Sequence, residues 1–372
     1  MRKKIVIFGN YGVPNWGDEA IITGILSQID IRKYSVTVVS NDPEFSIKQA
    51  KRCSENECKI SGILPPPFGV RSFLKGLFSL QYGFLKTKKA IKDADFIIFG
   101  GGGLFQDRPK KALQLWNYYL WLCQKLTNNT GKKTKICVLG NSFESFQNPE
   151  NYEKMQKRFG KIPFFSVRDK RSQEILSEKF GVPAFKISET SDAAYFLKRN
   201  SKQGRKKGVL LAIREGEISE NKQKKLLKIL KEYFPNEAEK NQIEVLVMQE
   251  KKEKNSGDKH FALTHSLPSF SPENLEELQE KIRSSKFVLT SRLHAGILAN
   301  ISGTPFIAIS MRDKISQFFG EEFSFSLKKV FTKKGEKELR EIIKNYKTLK
   351  TPQRNFYDKQ VQKLKNFFPE IM

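Results

Sequence analysis

The stretch IVIFGNYGVPNWGDEAIITGILSQI, residues 5–29, sets the reading of the whole chain. Four apolar residues (5–8) suit a short buried strand, and a loop with Gly9, Gly12 and Gly17 follows. DEAIITGILSQI then has the apolar content and acidic start of a helix. A strand, a glycine-bearing turn and a helix make the repeating unit of a parallel sheet with crossover helices.

That unit recurs. SVTVVS (35–40), DFIIFG (95–100), KICVLG (135–140) and PFFSVR (163–168) supply four more strands. ALQLWNYYLWLCQKL (112–126) is an amphipathic helix, Asn148-Pro149 opens another with proline at its first position, and Asp169 is an N-cap candidate. KRNSKQGRKKG (198–208) is polar, basic and glycine-containing, the composition of a linker. Beyond it VLLAIR (209–214), IEVLVM (243–248), FVLT (287–290) and PFIAIS (305–310) repeat the rhythm with helical segments between them. The expected organisation is an N-terminal α/β domain over 1–197 on the acceptor side, the linker 198–208, and a C-terminal α/β domain over 209–351 on the donor side. A helix over 352–372 is expected to pack back on the N-terminal domain. The fold class is therefore α/β: two open, doubly wound parallel sheets facing a cleft, with ligands at the carboxyl ends of the strands.

Composition excludes other classes. The 372 residues hold 67 Lys+Arg against 40 Asp+Glu, a net charge of +27, yet 38% hydrophobic content and 30 Phe argue for folded cores. The lysines are scattered, many beside glutamates, so a solvated surface is the plain reading; attraction to an anionic membrane surface is the next. No nucleic-acid motif accompanies the charge, so no nucleic-acid partner is expected. No apolar run approaches the ~20 residues of a membrane span. MRKKIVIFGN lacks the ~7–15 apolar residues of a secretory signal, which leads to an expectation of cytoplasmic residence. Cys53, Cys58, Cys123 and Cys137 are too few for a disulfide scaffold and lack the spacing of a metal site, so no metal is expected. His260 and His265 sit in a Ser/Pro/Phe-bearing loop and read as structural or exposed, which leaves His294 for chemistry.

Three loops could carry that chemistry. In the first, Asn15, Asp18 and Glu19 could accept hydrogen bonds from sugar hydroxyls, although Asp18 could equally cap its helix. In the second, FGGGGLFQD (99–107), four consecutive glycines including Gly101 and Gly102 suggest close approach of a ligand or another backbone; Gln106 and Asp107 follow at the rim. In the third, TSRLHAGILANISGTPFIAIS (290–310), Ser291 can cap a helix that starts at Arg292 or Leu293. Arg292 and His294 would then stand in a first turn that disfavours cations unless an anion binds there. Arginine offers a planar fork for phosphate or carboxylate, and histidine exchanges a proton near neutral pH. Lys314 could reach the same place. Arg214 and Arg168 close strands, where they could meet a ligand or pair with a neighbouring carboxylate.

GNYGVPNWGDEAI (9–21), FGGGGLFQD (99–107), SVRDKRS (166–172), SDAAY (191–195), Arg214 and SRLHAGILANISGTPFIAIS (291–310), in this order, resemble the polysaccharide pyruvyl transferase family. The resemblance implies an architecture like the B-type glycosyltransferases and phosphoenolpyruvate as co-substrate, with no cofactor. It implies formation of a pyruvate ketal on two hydroxyls of a sugar in a cell-surface polymer or its lipid-linked precursor, which would place the protein at the inner face of the membrane. Arg214, Arg292 and His294 become donor-site candidates, joined by Ser291, Lys314 and Arg168. Asn15, Asp18, Glu19, Gly101, Gly102 and Asp107 become acceptor candidates. Two alternatives stay open: a nucleotide-sugar-dependent glycosyltransferase of similar architecture, and a non-catalytic polysaccharide- or membrane-binding protein. Residues 250–272 and the tail after 320 match nothing in the family pattern.

Overall fold

A computed structural model describes residues 2–371 apart from 14, 31, 54–59, 69–80, 108–109, 200–205, 215, 217, 251–256 and 311–312. Most of the linker stretch and Cys58 thus lie outside the described residues, as does the side chain of Cys53. The chain divides into two compact units, one of residues 1–13, 18–196 and 360–372, the other of residues 14–17 and 197–359.

The first unit is built on a parallel seven-stranded sheet of β1 (Lys3–Phe8), β2 (Tyr34–Val39), β3 (Ile60–Ile63), β4 (Phe96–Gly102), β5 (Lys135–Asn141), β6 (Phe164–Val167) and β7 (Ile187–Glu189). Their order is β3-β2-β1-β4-β5-β6-β7, with β1 and β4 side by side in the middle and Phe8 opposite Phe99. The reversal between β1 and β4 is the topological switch point at which such sheets bind ligands. β4 is buried along its whole length, as expected of a strand covered on both faces. Many phenylalanines are spent here: Phe105, Phe143, Phe159 and Phe165 meet edge-on or stacked, with ring centroids 5.2–6.3 Å apart. Each such side chain contributes roughly 1.5–3 kcal/mol through burial. β3 and β7 escaped the sequence reading because ISGI and ISE are too short and too polar to show a strand period.

The second unit carries a parallel six-stranded sheet of β8 (Val209–Ala212), β9 (Ile243–Leu246), β10 (Ser269–Phe270), β11 (Phe287–Thr290), β12 (Phe306–Ser310) and β13 (Ser324–Ser326). Their order is β10-β9-β8-β11-β12-β13, so β8 and β11 are central neighbours with Ala212 opposite Thr290. β10 and β13 are the short edge strands that the sequence did not reveal. The helix Leu293–Ser302, which leaves β11, is buried on nearly every face and ends on Gly303 in the left-handed region at φ 67°. Gly296 within it admits Phe319, since a Cβ there would lie 2.9 Å from the ring. In the helix Lys350–Ile371, Gln353 Nε2 donates to the Phe306 carbonyl (2.7 Å). Residues from 360 onward in that helix group with the first unit, where Lys363 pairs with Glu189.

Among the described residues, no helix is long and apolar enough to cross a membrane, and no group of His, Cys, Asp or Glu could hold a metal ion. Cys123 and Cys137 are free and fully buried, and burial pushes both thiols up in pKa. His265 accepts or donates at Gln223 Oε1 (2.7 Å) and lies against Phe261, consistent with a structural role.

Candidate functional site

In the second unit, the residue pattern TSRLH is folded by its own hydroxyls. Thr290 Oγ1 accepts from the Arg292 N–H (2.8 Å) and lies 3.0 Å from the Ala212 carbonyl, while the Ser291 N–H donates to that same carbonyl (2.9 Å). Ser291 does not cap the helix. Its Oγ accepts from the Arg214 N–H (2.7 Å), tying the end of β8 to the turn after β11. Arg292 is the N-cap residue in extended conformation and makes no side-chain cap bond, so only His294 stands in the first turn, at its second position. A guanidinium cannot accept a hydrogen bond, and the start of this helix is therefore left uncapped, with its backbone donors suited to an anion.

Arg292 is anchored from below. Its Nη2 pairs with Asp258 Oδ1 and its Nη1 donates to Gln249 Oε1 (3.1 Å). Asp258 is fully buried and its Oδ2 accepts from the Met248 and Gln249 N–H groups (2.9 and 3.0 Å). Burial raises the Asp258 pKa above the ordinary carboxylate value, while Arg292 and the two backbone donors oppose the shift. Arg292 Nε is buried and has no hydrogen-bond partner among the described residues. The fork is thus held in place with one donor still to be satisfied. Asp258 and Gln249 went unrecognised in the sequence. Asp258 begins the helix Asp258–Thr264, a position that helix-dipole preference alone explains, and nothing local links it to an arginine 34 positions on.

The tip of the first loop joins this cluster. Residues 14–17 belong to the second unit, where the Trp16 N–H donates to the Met248 carbonyl (3.0 Å) and Asn15 forms an isolated antiparallel bridge with Gln249. Asn15 Oδ1 accepts from the Gly17 N–H (3.1 Å), so Asn15, and not Asp18, meets the helix start. A Cβ on Gly17 would fall 2.3 Å from His294 Nδ1, so only glycine admits the imidazole at this spot. Arg214, Ser291, Arg292, His294 and Asn15 are thus brought together in one unit. Lys314 lies in the helix Asp313–Phe319, with its side chain outside the described residues.

The remaining candidates lie in the first unit and are turned to other tasks. Asp18 Oδ2 accepts from Asn10 Nδ2 (2.9 Å). Glu19 is fully buried; its Oε1 accepts from the Gly12 N–H (2.7 Å) and holds the loop closed. Burial raises its pKa to about 7, with the Gly12 donor opposing and the Asp18 charge adding to the shift. The glycine run serves packing. A Cβ on Gly101 would sit 2.1 Å from Ile21 and one on Gly100 2.7 Å from Ile25, both on the helix Trp16–Ser27, and Gly101 and Gly102 have φ of 70° and 79°. The backbone that closely approaches these glycines is therefore followed by a helix side-chain row, which no local sequence cue announces. Asp107 Oδ2 accepts from the Gln147 and Asn148 N–H groups and fixes the entry to the next helix. Arg168 is buried beside Asp192 (3.4 Å) and Asp169 (3.8 Å), an internal ion pair of the first unit, while Asp169 caps the helix Lys170–Glu178 through the Ser172 N–H (2.8 Å).

Comparison with known proteins agrees with this arrangement. Among curated proteins no sequence matches the chain. Solved structures of similar fold include UDP-GlcNAc 2-epimerase from Neisseria meningitidis bound to UDP-GlcNAc (14% identity, 99% of each chain, TM-score 0.55). A glycosyltransferase from Rickettsia africae matches at 11% identity over 100% of this chain and 98% of that one, with TM-score 0.56. UGT73P12 from Glycyrrhiza uralensis, complexed with glycyrrhetinic acid 3-O-monoglucuronide, matches at 8% over 100% and 96%, with TM-score 0.57. At such identities the likeness shows the fold, that of the B-type glycosyltransferases and epimerases. The family model for polysaccharide pyruvyl transferase matches residues 15–313, from the loop tip at Asn15 through the Arg292–His294 turn, and the chain belongs to that family.

Proposed function

We propose that the protein transfers the pyruvyl group of phosphoenolpyruvate to two hydroxyls of a sugar unit in a polysaccharide or its lipid-linked precursor, forming a ketal and releasing phosphate. The observation that carries this reading is the turn after β11: an uncapped helix start flanked by an anchored arginine fork, a second strand-end arginine and a first-turn histidine. Phosphoenolpyruvate carries a phosphate and a carboxylate, and two arginines with a helix N-terminus can hold both in a fixed orientation. Arg292 and Arg214 clamp the donor. His294 gives a proton to the methylene carbon, and the cation so formed at the neighbouring carbon is attacked by one sugar hydroxyl. The second hydroxyl displaces phosphate and closes the ring, its approach favoured by orientation of the diol. Asn15, beside Gln249, is placed for the acceptor side of this exchange. A lipid-linked acceptor would bring the protein to the inner face of an anionic membrane, to which its scattered lysines would add attraction.

The fold shared with glycosyltransferases favours a second reading, sugar transfer from a nucleotide sugar, in which the same arginines would meet a diphosphate. Phosphate release from phosphoenolpyruvate across a panel of sugar acceptors supports pyruvyl transfer. Release of nucleotide diphosphate from a nucleotide sugar, with phosphoenolpyruvate left intact, overturns it.

A further inference from the structure

A cavity of about 420 Å³ lies in the first unit between the helices Lys110–Asn128 and Pro149–Phe159. None of its lining residues belongs to the turn that carries the proposed chemistry. The volume lies within the range of small-ligand sites. Tyr118 and Trp121, tilted against each other with centroids 5.9 Å apart, line it together with the amides of Asn117, Asn148 and Asn151 and the guanidinium of Arg158. We propose that this cavity is a saccharide subsite that takes a hexose unit of the acceptor chain, away from the unit being modified.

The lining chemistry selects this ligand. A hexose ring presents C–H faces and equatorial hydroxyls; aromatic rings take the first, and planar amides, which both donate and accept, take the second. Lys125 Nζ rests over the Trp121 ring, 5.0 Å from its centroid, so that ring turns a face to a mobile side chain that a sugar can displace. Arg158 Nε donates to Asn117 Oδ1 (3.3 Å), and no carboxylate among the described residues pairs with this guanidinium. Burial alone lowers its pKa. An arginine partly buried against a neutral amide keeps its remaining fork for vicinal hydroxyls or a sugar carboxylate. The cavity is also held in shape: Asp107 accepts from the Asn148 N–H, Asn148 Oδ1 caps its helix through the Glu150 N–H (3.0 Å), and Gln124 Nε2 donates to the Arg158 carbonyl (2.9 Å). This gives Asp107, a residue the sequence placed with the acceptor, an indirect part in acceptor binding.

The inference takes the nature of its ligand from the polysaccharide reading, but its test runs without donor. Saturation-transfer NMR on the full chain with cellohexaose and with a galacturonic acid hexamer should show transfer to at least one of them. Transfer only from the neutral probe assigns Arg158 to hydroxyls, and transfer favouring the acidic probe assigns it to a carboxylate. Gln114→Trp fills the cavity from an exposed position, and Arg158→Met removes the fork at the cost of one amide contact. Each should cut the transfer at least fivefold while the unfolding transition stays in place. No transfer from either probe, or undiminished transfer in the folded Gln114→Trp protein, overturns the subsite. Binding that persists while phosphoenolpyruvate is never consumed would instead overturn the pyruvyl-transfer reading and leave the subsite standing.

Discussion

Two glycine-and-polar loops, the turn at 100–107 in the first unit and the turn at 290–294 in the second, look equally inviting in sequence but are built for different ends. In the first, every unusual feature is used up within the fold. Gly100 and Gly101 yield to Ile25 and Ile21, Tyr11 Oη donates to the Gly100 carbonyl (2.8 Å), and Asp107 fixes a helix entry. In the second, two hydroxyls and a buried carboxylate position groups whose own capacity remains open: an uncapped helix start and a buried guanidinium Nε. Satisfied polar groups describe scaffolding, and positioned but unsatisfied ones describe a binding site.

Breaking that contrast has graded consequences. Arg292→Ala should have the largest effect, because it leaves Asp258 buried without its counter-charge. Removing one member of a buried pair costs about 3–5 kcal/mol, so chemical denaturation should show a loss of that order together with loss of phosphoenolpyruvate affinity. Arg292→Lys keeps the charge without the fork and should lose donor affinity with a smaller loss of stability. If Arg292→Ala melts like the wild type, the anchoring by Asp258 is wrong.

His294→Gln should leave the unfolding transition in place and lower the rate by about 10²–10⁴-fold, the usual share of a general acid. Near-wild-type phosphate release from this variant would return His294 to a packing role.

Glu19 sharpens the contrast from the scaffold side. Its folded pKa of about 7 stands above the ordinary 4.5, so the folded state binds the extra proton. Stability from this group is therefore greatest below pH 4.5 and declines as pH rises toward 7. At about 1.4 kcal/mol per unit, the difference reaches at most about 3 kcal/mol. Glu19→Gln keeps an acceptor for the Gly12 N–H and should flatten that part of the stability–pH curve. An unchanged slope would mean that the carboxyl is not buried as described.

Gly101→Ala, which meets both a φ of 70° and the Ile21 side chain, should cost about 1–3 kcal/mol. Donor affinity should be spared if the glycine run serves packing; a stable Gly101→Ala protein that fails to bind its acceptor would restore the ligand-contact reading of these glycines.

Local pattern made much of this protein legible. The apolar runs at 5–8, 95–100, 209–214 and 287–290 are strands at the centres of the two sheets, because a central parallel strand must be apolar on both faces. Edge strands such as Ile187–Glu189 and Ser324–Ser326 are short and half-polar, so the same rule could not find them. The helix start near Leu293 was legible from its apolar run, whereas its capping was not: the hydroxyl of Ser291, free in sequence to bond its own helix, is taken by the Arg214 N–H of a neighbouring strand.

Sequence alone therefore determined the strand–helix rhythm, the two sheets and the family motifs, since these depend on periodicity, turn chemistry and residues close along the chain. Tertiary structure alone decided what each motif residue does. Asp258 beneath Arg292, Gly17 against His294 and Ile21 over Gly101 are partners 34, 277 and 80 positions apart. A hydrogen-bond donor or a missing Cβ carries no mark in the sequence of the distant group that will occupy the space beside it, and only the packed fold makes that assignment.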